Sequence, residues 1–435
     1  QARFKGPVAM VSLGHLLAAC AVPVFGIASI ATPAGVGGGI LYVPLLILTG
    51  VASPRLAAVL ASSTIVGAAL AGNIFNVIWQ LRHPKNHLLD SQLAVAILSP
   101  ALAGNLVGTI LNQALPKAII LLLLLFIIGH SLVGACSRAR RMWLQESLQR
   151  SPPTPAPAVE LGNPVEGRAS ADVEQASERT EPEVEPEEDA PYHQVSFFQD
   201  EDRQSNLTRR RGGSTSGSVP SVPSEPVEEA ANTWGWAKFV GIWLCMILVI
   251  VLRGGEGQSV AHVQSCSWEY WAITGFGFLL LAGGGLVTRT PEVSCVLCVA
   301  TGALSAMVGI GGAIVLNPMM VKRGVEVQTA TATASLLVLA MSTSTTALFV
   351  LGGAMPPMPA AVLGAAAFLG SLCGKTVVGW LVSRTGRTSL ILILLAGFIF
   401  ISGIAVLTQG VKDTILDVEA GNNPFSGFKQ PCAST

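Results

Sequence analysis

Carboxylates are almost absent from the apolar parts of this 435-residue sequence. Only 12% of the residues are charged and the mean hydropathy is +0.57, whereas about a quarter of the residues of a soluble domain are charged. Of the 26 acidic residues, 17 fall between Ser151 and Asn232, and the other nine lie near the ends of apolar stretches or beyond them. Because a charge buried in hydrocarbon costs about 3 kcal/mol or more, this distribution indicates membrane-spanning helices and excludes an ordinary soluble domain.

Catalytic and metal-binding motifs are also missing. The sequence has no H-E-x-x-H, no G-x-S-x-G and no pair of aspartates deep in an apolar run, which argues against an intramembrane enzyme. Six of the eight cysteines lie in apolar runs, and the C-x-x-C spacing of Cys295 and Cys298 is flanked by Val and Leu. Such cysteines are typical packing residues. We therefore predict no catalytic residues, no metal, no cofactor and no nucleic-acid partner.

Long apolar runs are abundant, and a helix needs about 20 such residues to span a bilayer. Two further segments, Ile40–Leu48 and Ala313–Val321, are too short to cross alone. The sequence therefore predicts an all-α polytopic membrane protein of about 10 spans, with broken or re-entrant helices. The predicted spans are Val8–Ala31, Leu56–Leu81, Gln92–Leu111, Pro116–Cys136, Trp236–Leu252, Trp268–Val287, Val293–Val308, Thr329–Leu351, Ala360–Leu381 and Ser389–Leu407.

A polar insert rich in Pro, Glu and Ser separates two sets of these stretches. It has too little apolar surface to offset the entropy of ordering, so we predict that it is disordered. The predicted organisation is a first transmembrane repeat (1–140), the acidic loop (141–232), linking transmembrane helices (233–290), a second repeat (291–410) and a polar tail (411–435). The loop is either a solvated linker or a docking segment for a cytosolic partner or a kinase.

A glycine cluster occurs twice in the apolar sequence. The first copy runs Gly35-Val-Gly-Gly-Gly-Ile-Leu-Tyr-Val-Pro44, and the second runs Gly309-Ile-Gly-Gly-Ala-Ile-Val-Leu-Asn-Pro318. Glycine and proline weaken helices, and helix breakers at matching places in two halves of a membrane protein indicate a transport site. The second copy has Ala313 where the first has its last glycine, which suggests that the two halves of the site are not equivalent.

The likeness continues beyond the glycines. A small-residue helix with hydroxyl side chains follows each cluster, and its Ala61-Ser62 pair matches Ala334-Ser335. The next helix in each half has a small-xxx-small step, Gly104-Asn-Leu-Val-Gly108 and Gly370-Ser-Leu-Cys-Gly374. Such steps let helix backbones approach closely in lipid. The sequence therefore predicts two structural repeats around a shared interface, in either a parallel or an inverted relation.

With this order of motifs, the chain resembles the sulfite exporter TauE/SafE family of membrane permeases. The resemblance implies two repeats, a lipid bilayer as surroundings, and a small anion such as sulfite, a sulfonate or a related organic acid as substrate. It covers most of the chain outside the acidic insert, which departs from the family pattern, as does Ala313. The membrane is either the plasma membrane or that of an organelle.

Half-helix N-termini at the glycine clusters would direct backbone N–H groups and a positive dipole toward an anion. Neighbouring hydroxyl and amide side chains, including Thr32, Asn73 and Asn76, are candidate additional donors because they are concentrated beside the glycine breaks, although each alone is more typical of a bond to a helix carbonyl or to a neighbouring helix. Lys375, a cation inside a predicted span, either snorkels to the interface or serves the anion. The predicted substrate-binding residues are Gly35, Gly37, Gly38, Gly39, Pro44, Ser62, Ser63, Gly309, Gly311, Gly312, Asn317, Pro318, Thr333, Ser335 and Lys375.

We predict a permease that moves the anion by alternating access at the interface of the two repeats. Two alternatives stay open at this point. One is an anion channel, which the sequence does not distinguish from a carrier. The other is a membrane scaffold or receptor that signals through its acidic loop, against which the repeated helix breakers argue, because a passive anchor needs no unsatisfied backbone at membrane depth.

Overall fold

The computed structural model describes residues 20–33, 38–50, 53–82, 88–150, 225–254, 267–287, 294–321, 323–385 and 389–419, together with 421 and 423. Most of the acidic insert, the beginning of the first predicted span and two predicted site residues, Gly35 and Gly37, lie outside these ranges.

Within the described residues the chain forms twelve helices and no β-strand. In chain order they are α1 (Val22–Ala31), α2 (Gly39–Leu48), α3 (Pro54–Arg82), α4 (Ser91–Ala114), α5 (Lys117–Arg150), α6 (Glu225–Arg253), α7 (Trp268–Val287), α8 (Cys295–Val308), α9 (Ala313–Val321), α10 (Val327–Leu351), α11 (Pro357–Thr385) and α12 (Ser389–Glu419). Eight of these helices are long and apolar enough to cross a membrane. The predicted all-α polytopic fold is confirmed.

Three helix ends extend past the boundaries that the apolar runs indicated. Helix α5 continues to Arg150 and α6 begins at Glu225, inside the range predicted for the acidic loop, and α12 continues to Glu419, inside the predicted polar tail. The α5 extension is rich in Arg, Gln and Leu, which are all good helix formers. This helix therefore continues beyond the end of its apolar run.

The two halves exchange their first helices. Helix α1 packs on α11 and α8 packs on α4, so that the first helix of each half lies against the fourth helix of the other half. The central pair is α3 and α10, and α5 packs on α12 in the same reciprocal way. The contacts therefore follow a pseudo-two-fold arrangement of α1–α5 and α8–α12, with α6 and α7 packed against α4 and each other.

The small-xxx-small steps make these exchanged crossings. A Cβ on Gly104 would overlap the carbonyl group of Val299, and a Cβ on Gly370 would overlap that of Phe25. Phe25 and Val299 are matching residues, because each lies ten positions before the first glycine of its cluster. Glycine at both crossings thus allows backbone-to-backbone packing, the main means of helix association in lipid.

Side-chain hydrogen bonds repeat with the same symmetry. Asn73 donates to the carbonyl and the hydroxyl of Ser335, at 3.0 and 3.3 Å, and its counterpart Thr346 donates to the hydroxyl of Ser62 at 3.1 Å. Asn73 and Thr346 are counterparts because each follows its matching serine by eleven residues. The predicted equivalence of Ser62 and Ser335 therefore agrees with the three-dimensional contacts.

A second matching pair joins α4 to α10 and α11 to α3. The residues that follow Gly104 and Gly370 are Asn105, which donates to the carbonyl of Met341 at 2.9 Å, and Ser371, which donates to the carbonyl of Ala68 at 3.0 Å. Ala68 and Met341 are again matching positions. Both donors are completely buried, so these bonds fix the register between the halves.

Candidate functional site

The second glycine cluster breaks the chain between α8 and α9. Gly309, Gly311 and Gly312 all have positive φ, at 78°, 79° and 72°. Residues other than glycine strongly disfavour this conformation. Gly309 donates to the carbonyl of Ser305, which ends α8, and Gly312 accepts from the first turn of α9. A Cβ on Gly309 would lie 2.5 Å from the carbonyl oxygen of Ala58 in α3. The break therefore needs glycine both for its backbone angles and for its contact with the first half.

The first cluster breaks the chain in the same way where the structure describes it. Gly38 has a φ of 69°, and its carbonyl accepts from Leu41 and Tyr42 at the start of α2. The Tyr42 ring lies over Gly38, where a Cβ would be 2.6 Å from its Cζ. The Tyr42 hydroxyl is buried and has no hydrogen-bond partner among the described residues.

The two breaks touch each other. A Cβ on Gly39 would overlap the Ile310 carbonyl and lie 2.7 Å from the Ile310 Cα, in the middle of the second cluster. Only glycine permits this approach of the α2 N-terminus to the other break. The structure thus brings Gly38 and Gly39 together with Gly309, Gly311 and Gly312, whereas Ala313 has a side chain where its counterpart Gly39 has none.

The short helices that follow the breaks carry a proline at the same position. Pro44 is the sixth residue of α2 and Pro318 is the sixth residue of α9. Since proline has no N–H, the carbonyls of Ile40 and Ile314 receive no helical bond from these residues. In the first turns, Leu41 and Tyr42 donate to the Gly38 carbonyl, and Val315 and Leu316 donate to the Gly312 carbonyl. Both short helices therefore place the positive end of their dipole at the break.

The predicted serine and threonine ligands bond other parts of the protein. Ser62 donates to the carbonyl of Val59 at 2.7 Å, Ser63 donates to that of Leu60 at 2.8 Å, and Thr333 accepts from the backbone of Asp90 at 3.3 Å. Asn317 is half-buried on α9. These contacts give Ser62, Ser63 and Thr333 structural roles, and their assignment to the substrate stays a prediction.

Lys375 reaches from α11 to α3. Its ammonium donates to the carbonyl of Gly72 at 3.0 Å and to Oδ1 of Asn76 at 2.8 Å, and lies 4.9 Å from the centre of the Phe75 ring. Ser335 of α10 lies nearby, bonded to Asn73. Nothing in the sequence places Lys375 near Ser335, but in the structure both residues contact the same turn of α3.

Comparison with known proteins decides the family. The model of the family described as "Sulfite exporter TauE/SafE" matches residues 20–165 and 231–405, and so covers both halves and both glycine clusters. The chain belongs to the TauE/SafE family.

The curated relatives match at nearly full length. The TauE/SafE family proteins 5, 1 and 3 of Arabidopsis thaliana are 24%, 23% and 23% identical and align with 98%, 97% and 92% of this chain. The alignments cover 90%, 89% and 79% of those relatives. No solved structure matches the chain.

Membership makes this TauE/SafE chain a multi-pass integral membrane protein of a transporter family, in agreement with the eight described helices that are long and apolar enough to cross a membrane. The match skips residues 166–230, which is most of the acidic insert. The transport fold of the family is therefore carried by the two helical halves.

One residue of this region was missed from the sequence. Gly72 stands between the end of α1, α10 and α11, yet it is one of 46 glycines and belongs to neither cluster. The sequence contains a signal for this region. A polar strip of a membrane helix, Asn73 and Asn76, lies beside Gly72, a residue without a side chain. The candidate amides Asn73 and Asn76 mark that strip.

Proposed function

We propose that this TauE/SafE protein carries small oxyanions, such as sulfite, sulfonates or related organic acids, across its membrane by alternating access between the two halves. The observation that carries the proposal is the contact of Gly39 with Ile310. It brings the N-terminus of α2 against the second break, so two sets of half-helix backbone groups face one region. Such an arrangement suits an anion, because positive dipole ends converge there and no carboxylate is buried among the residues that the structure describes.

The reciprocal packing supports alternating access. Helices α1 and α8 each precede one break, and each packs on the other half. Their crossings are made by glycine, so that backbone meets backbone and few side chains interlock. A pseudo-two-fold structure has two related ways to open, and movement of one half against the other would expose the central region to either side in turn.

The test is transport by the purified protein in liposomes. Sulfite or methanesulfonate inside the vesicles should be exchanged for the same anion outside, and anion on the far side should accelerate uptake, because a carrier returns faster when loaded. Absence of flux for both anions in folded wild-type protein would overturn the anion proposal. Flux without acceleration would overturn alternating access in favour of a channel.

A matched pair of variants addresses the junction. Gly39→Ala forces the α2 N-terminus away from Ile310, whereas Gly26→Ala makes the same chemical change on α1 where a Cβ meets nothing within 4 Å. Flux should fall in Gly39→Ala and stay at the wild-type level in Gly26→Ala, at equal amounts of folded protein. Equal flux in both variants would show that the meeting of the two breaks has no part in transport.

A further inference from the structure

The side chain of Tyr42 folds back over the break that begins α2. Tyr42 is the fourth residue of α2, and the Cα–Cβ bonds of a helix are tilted toward its N-terminus. Its phenol therefore reaches the N-cap residue Gly38, where a Cβ would lie 2.6 Å from both the ring carbon Cζ and the hydroxyl oxygen. The next residue along the chain, Gly39, is the one that contacts Ile310 of the second break. The hydroxyl thus lies at the N-terminus of α2, beside the junction of the two breaks.

This hydroxyl has no hydrogen-bond partner in the part of the chain that the structure describes. Its oxygen is buried and unbonded, and Tyr42 as a whole is 0% exposed. A buried hydroxyl without a partner is unfavourable, because it has given up its bonds to water and gained none in return. It would gain a bond from a ligand that reaches the N-terminus of α2.

Packing does not explain the hydroxyl. The two breaks match residue by residue, so the counterpart of Tyr42 is Leu316, the fourth residue of α9. Leu316 is also 0% exposed, and each of the two residues donates its N–H at 3.1 Å to the glycine that precedes its helix, Gly38 or Gly312. The same backbone geometry therefore forms in the other half around an apolar side chain. What the first half adds is one buried hydrogen-bond donor.

Backbone donors lie at the same place. The first helical donors of α2 are Leu41 and Tyr42, which share the carbonyl of Gly38. The N–H groups of Gly39 and Ile40 come before them and donate to no carbonyl of the described residues, although both residues are buried. No Asp or Glu is buried in the described ranges, so no fixed negative charge competes for these donors. The positive dipole end of α2 adds to their attraction for an anion.

We propose that the hydroxyl of Tyr42 binds the transported oxyanion at the N-terminus of α2. This inference rests on the proposed function and names a side chain that contacts its substrate. An oxygen of the anion accepts from the phenol O–H, while the N–H groups of Gly39 and Ile40 and the helix dipole stabilise its charge. Because Tyr42 is fully buried, the site is closed in this structure, and the anion enters when the halves separate at the contact of Gly39 with Ile310.

The decisive variant is Tyr42→Phe, which removes one oxygen atom and keeps the ring. Without anion, the thermal midpoint of the purified protein should stay the same or rise, because an unpaired buried hydroxyl is lost. The affinity for sulfite, measured by calorimetry, should fall about tenfold or more, and the KM for sulfite in liposomes should rise accordingly, as expected when a bond to a charged group is lost. The matched control is Tyr192→Phe, the same chemical change in the insert that the family model does not match, and it should bind and transport like the wild type.

Three results would overturn this site. They are wild-type affinity for sulfite in Tyr42→Phe, an equal loss of affinity in Tyr42→Phe and Tyr192→Phe, and a lower midpoint of anion-free Tyr42→Phe, which would give the hydroxyl a partner within the protein. If wild-type protein transports sulfite and Tyr42→Phe does so with unchanged KM, the inference fails while the proposed function stands. If folded wild-type protein transports neither sulfite nor methanesulfonate, the proposed function itself fails.

Discussion

The exchanged helix crossings predict matched losses of stability in the two halves. A methyl group on Gly104 would overlap the carbonyl oxygen of Val299 and lie 2.8 Å from the backbone nitrogen of Ala303. At the matching crossing, a methyl group on Gly370 would overlap the carbonyl oxygen of Phe25 and lie 2.9 Å from its Cα. Both neighbours are helix backbone, which cannot turn aside as a flexible side chain can.

The size of the effect follows from the overlap between each added methyl group and the opposing helix backbone. Restoring an ordinary contact requires the two helices to separate by about 1 Å, and overpacking of this kind typically costs about 1–3 kcal/mol. The intrinsic preference of a helix for alanine over glycine offsets about 0.5–1 kcal/mol of this cost. We therefore expect each of Gly104→Ala and Gly370→Ala to destabilise the protein by about 1–2 kcal/mol net.

The assay is the thermal midpoint of purified protein in detergent, with Gly397→Ala as the control. Gly397 is an exposed helical residue of α12 where a Cβ meets nothing within 4 Å, so this variant should be neutral or stabilised. Gly104→Ala and Gly370→Ala should both melt below it and by similar amounts. The reasoning is refuted if either variant is as stable as Gly397→Ala, because the close crossing of that half would then be absent.

Other contacts give further expectations for the same assay and for flux. Asn112→Leu removes the bond from its Nδ2 to the carbonyl of Met307, at 2.6 Å, and should destabilise by about 1–3 kcal/mol; wild-type stability would argue against that bond. Ser371→Ala loses a buried bond and should cost about 1 kcal/mol, with an unchanged midpoint as the contrary result. Tyr42→Phe removes a buried hydroxyl without a described partner and should be neutral or stabilising, so a clear loss would reveal a missing partner. Deletion of residues 166–224 retains both segments that match the family and should preserve sulfite flux; loss of flux from folded protein would show that the insert takes part.

Much of the fold was predictable because each membrane helix is indicated by its own run of apolar residues. Every predicted apolar stretch coincides with a helix as far as the structure describes it, and the glycine clusters end α8 and begin α2 and α9 where the φ angles turn positive. A window of about 20 residues is enough to recognise a span. The polar helix ends were harder to predict. Arg150 and Glu419 belong to polar segments, whose helical state follows from propensity and not from hydropathy.

The arrangement between helices was not predictable in the same way. Ser29 bonds to the carbonyl of Gly370, 341 residues away, and nothing in the composition of either helix identifies its partner. For the candidate site, the two breaks could be recognised separately, but their meeting at Gly39 and Ile310 depends on packing. Lys375 shows the limit most clearly, because its bonds to Gly72 and Asn76 depend on the packing of α11 on α3 and not on either helix alone.

The exchange of first helices has a consequence for biosynthesis. Helix α1 leaves the ribosome long before α11, its main packing partner, has been translated, and the insert between Arg150 and Glu225 lengthens that interval. During it, the glycine-facing surface of α1 must be covered by lipid or by the insertion machinery. The N-terminal half is therefore an incomplete intermediate that the C-terminal half completes, and a nascent chain stopped before α11 exposes a surface that quality control can recognise.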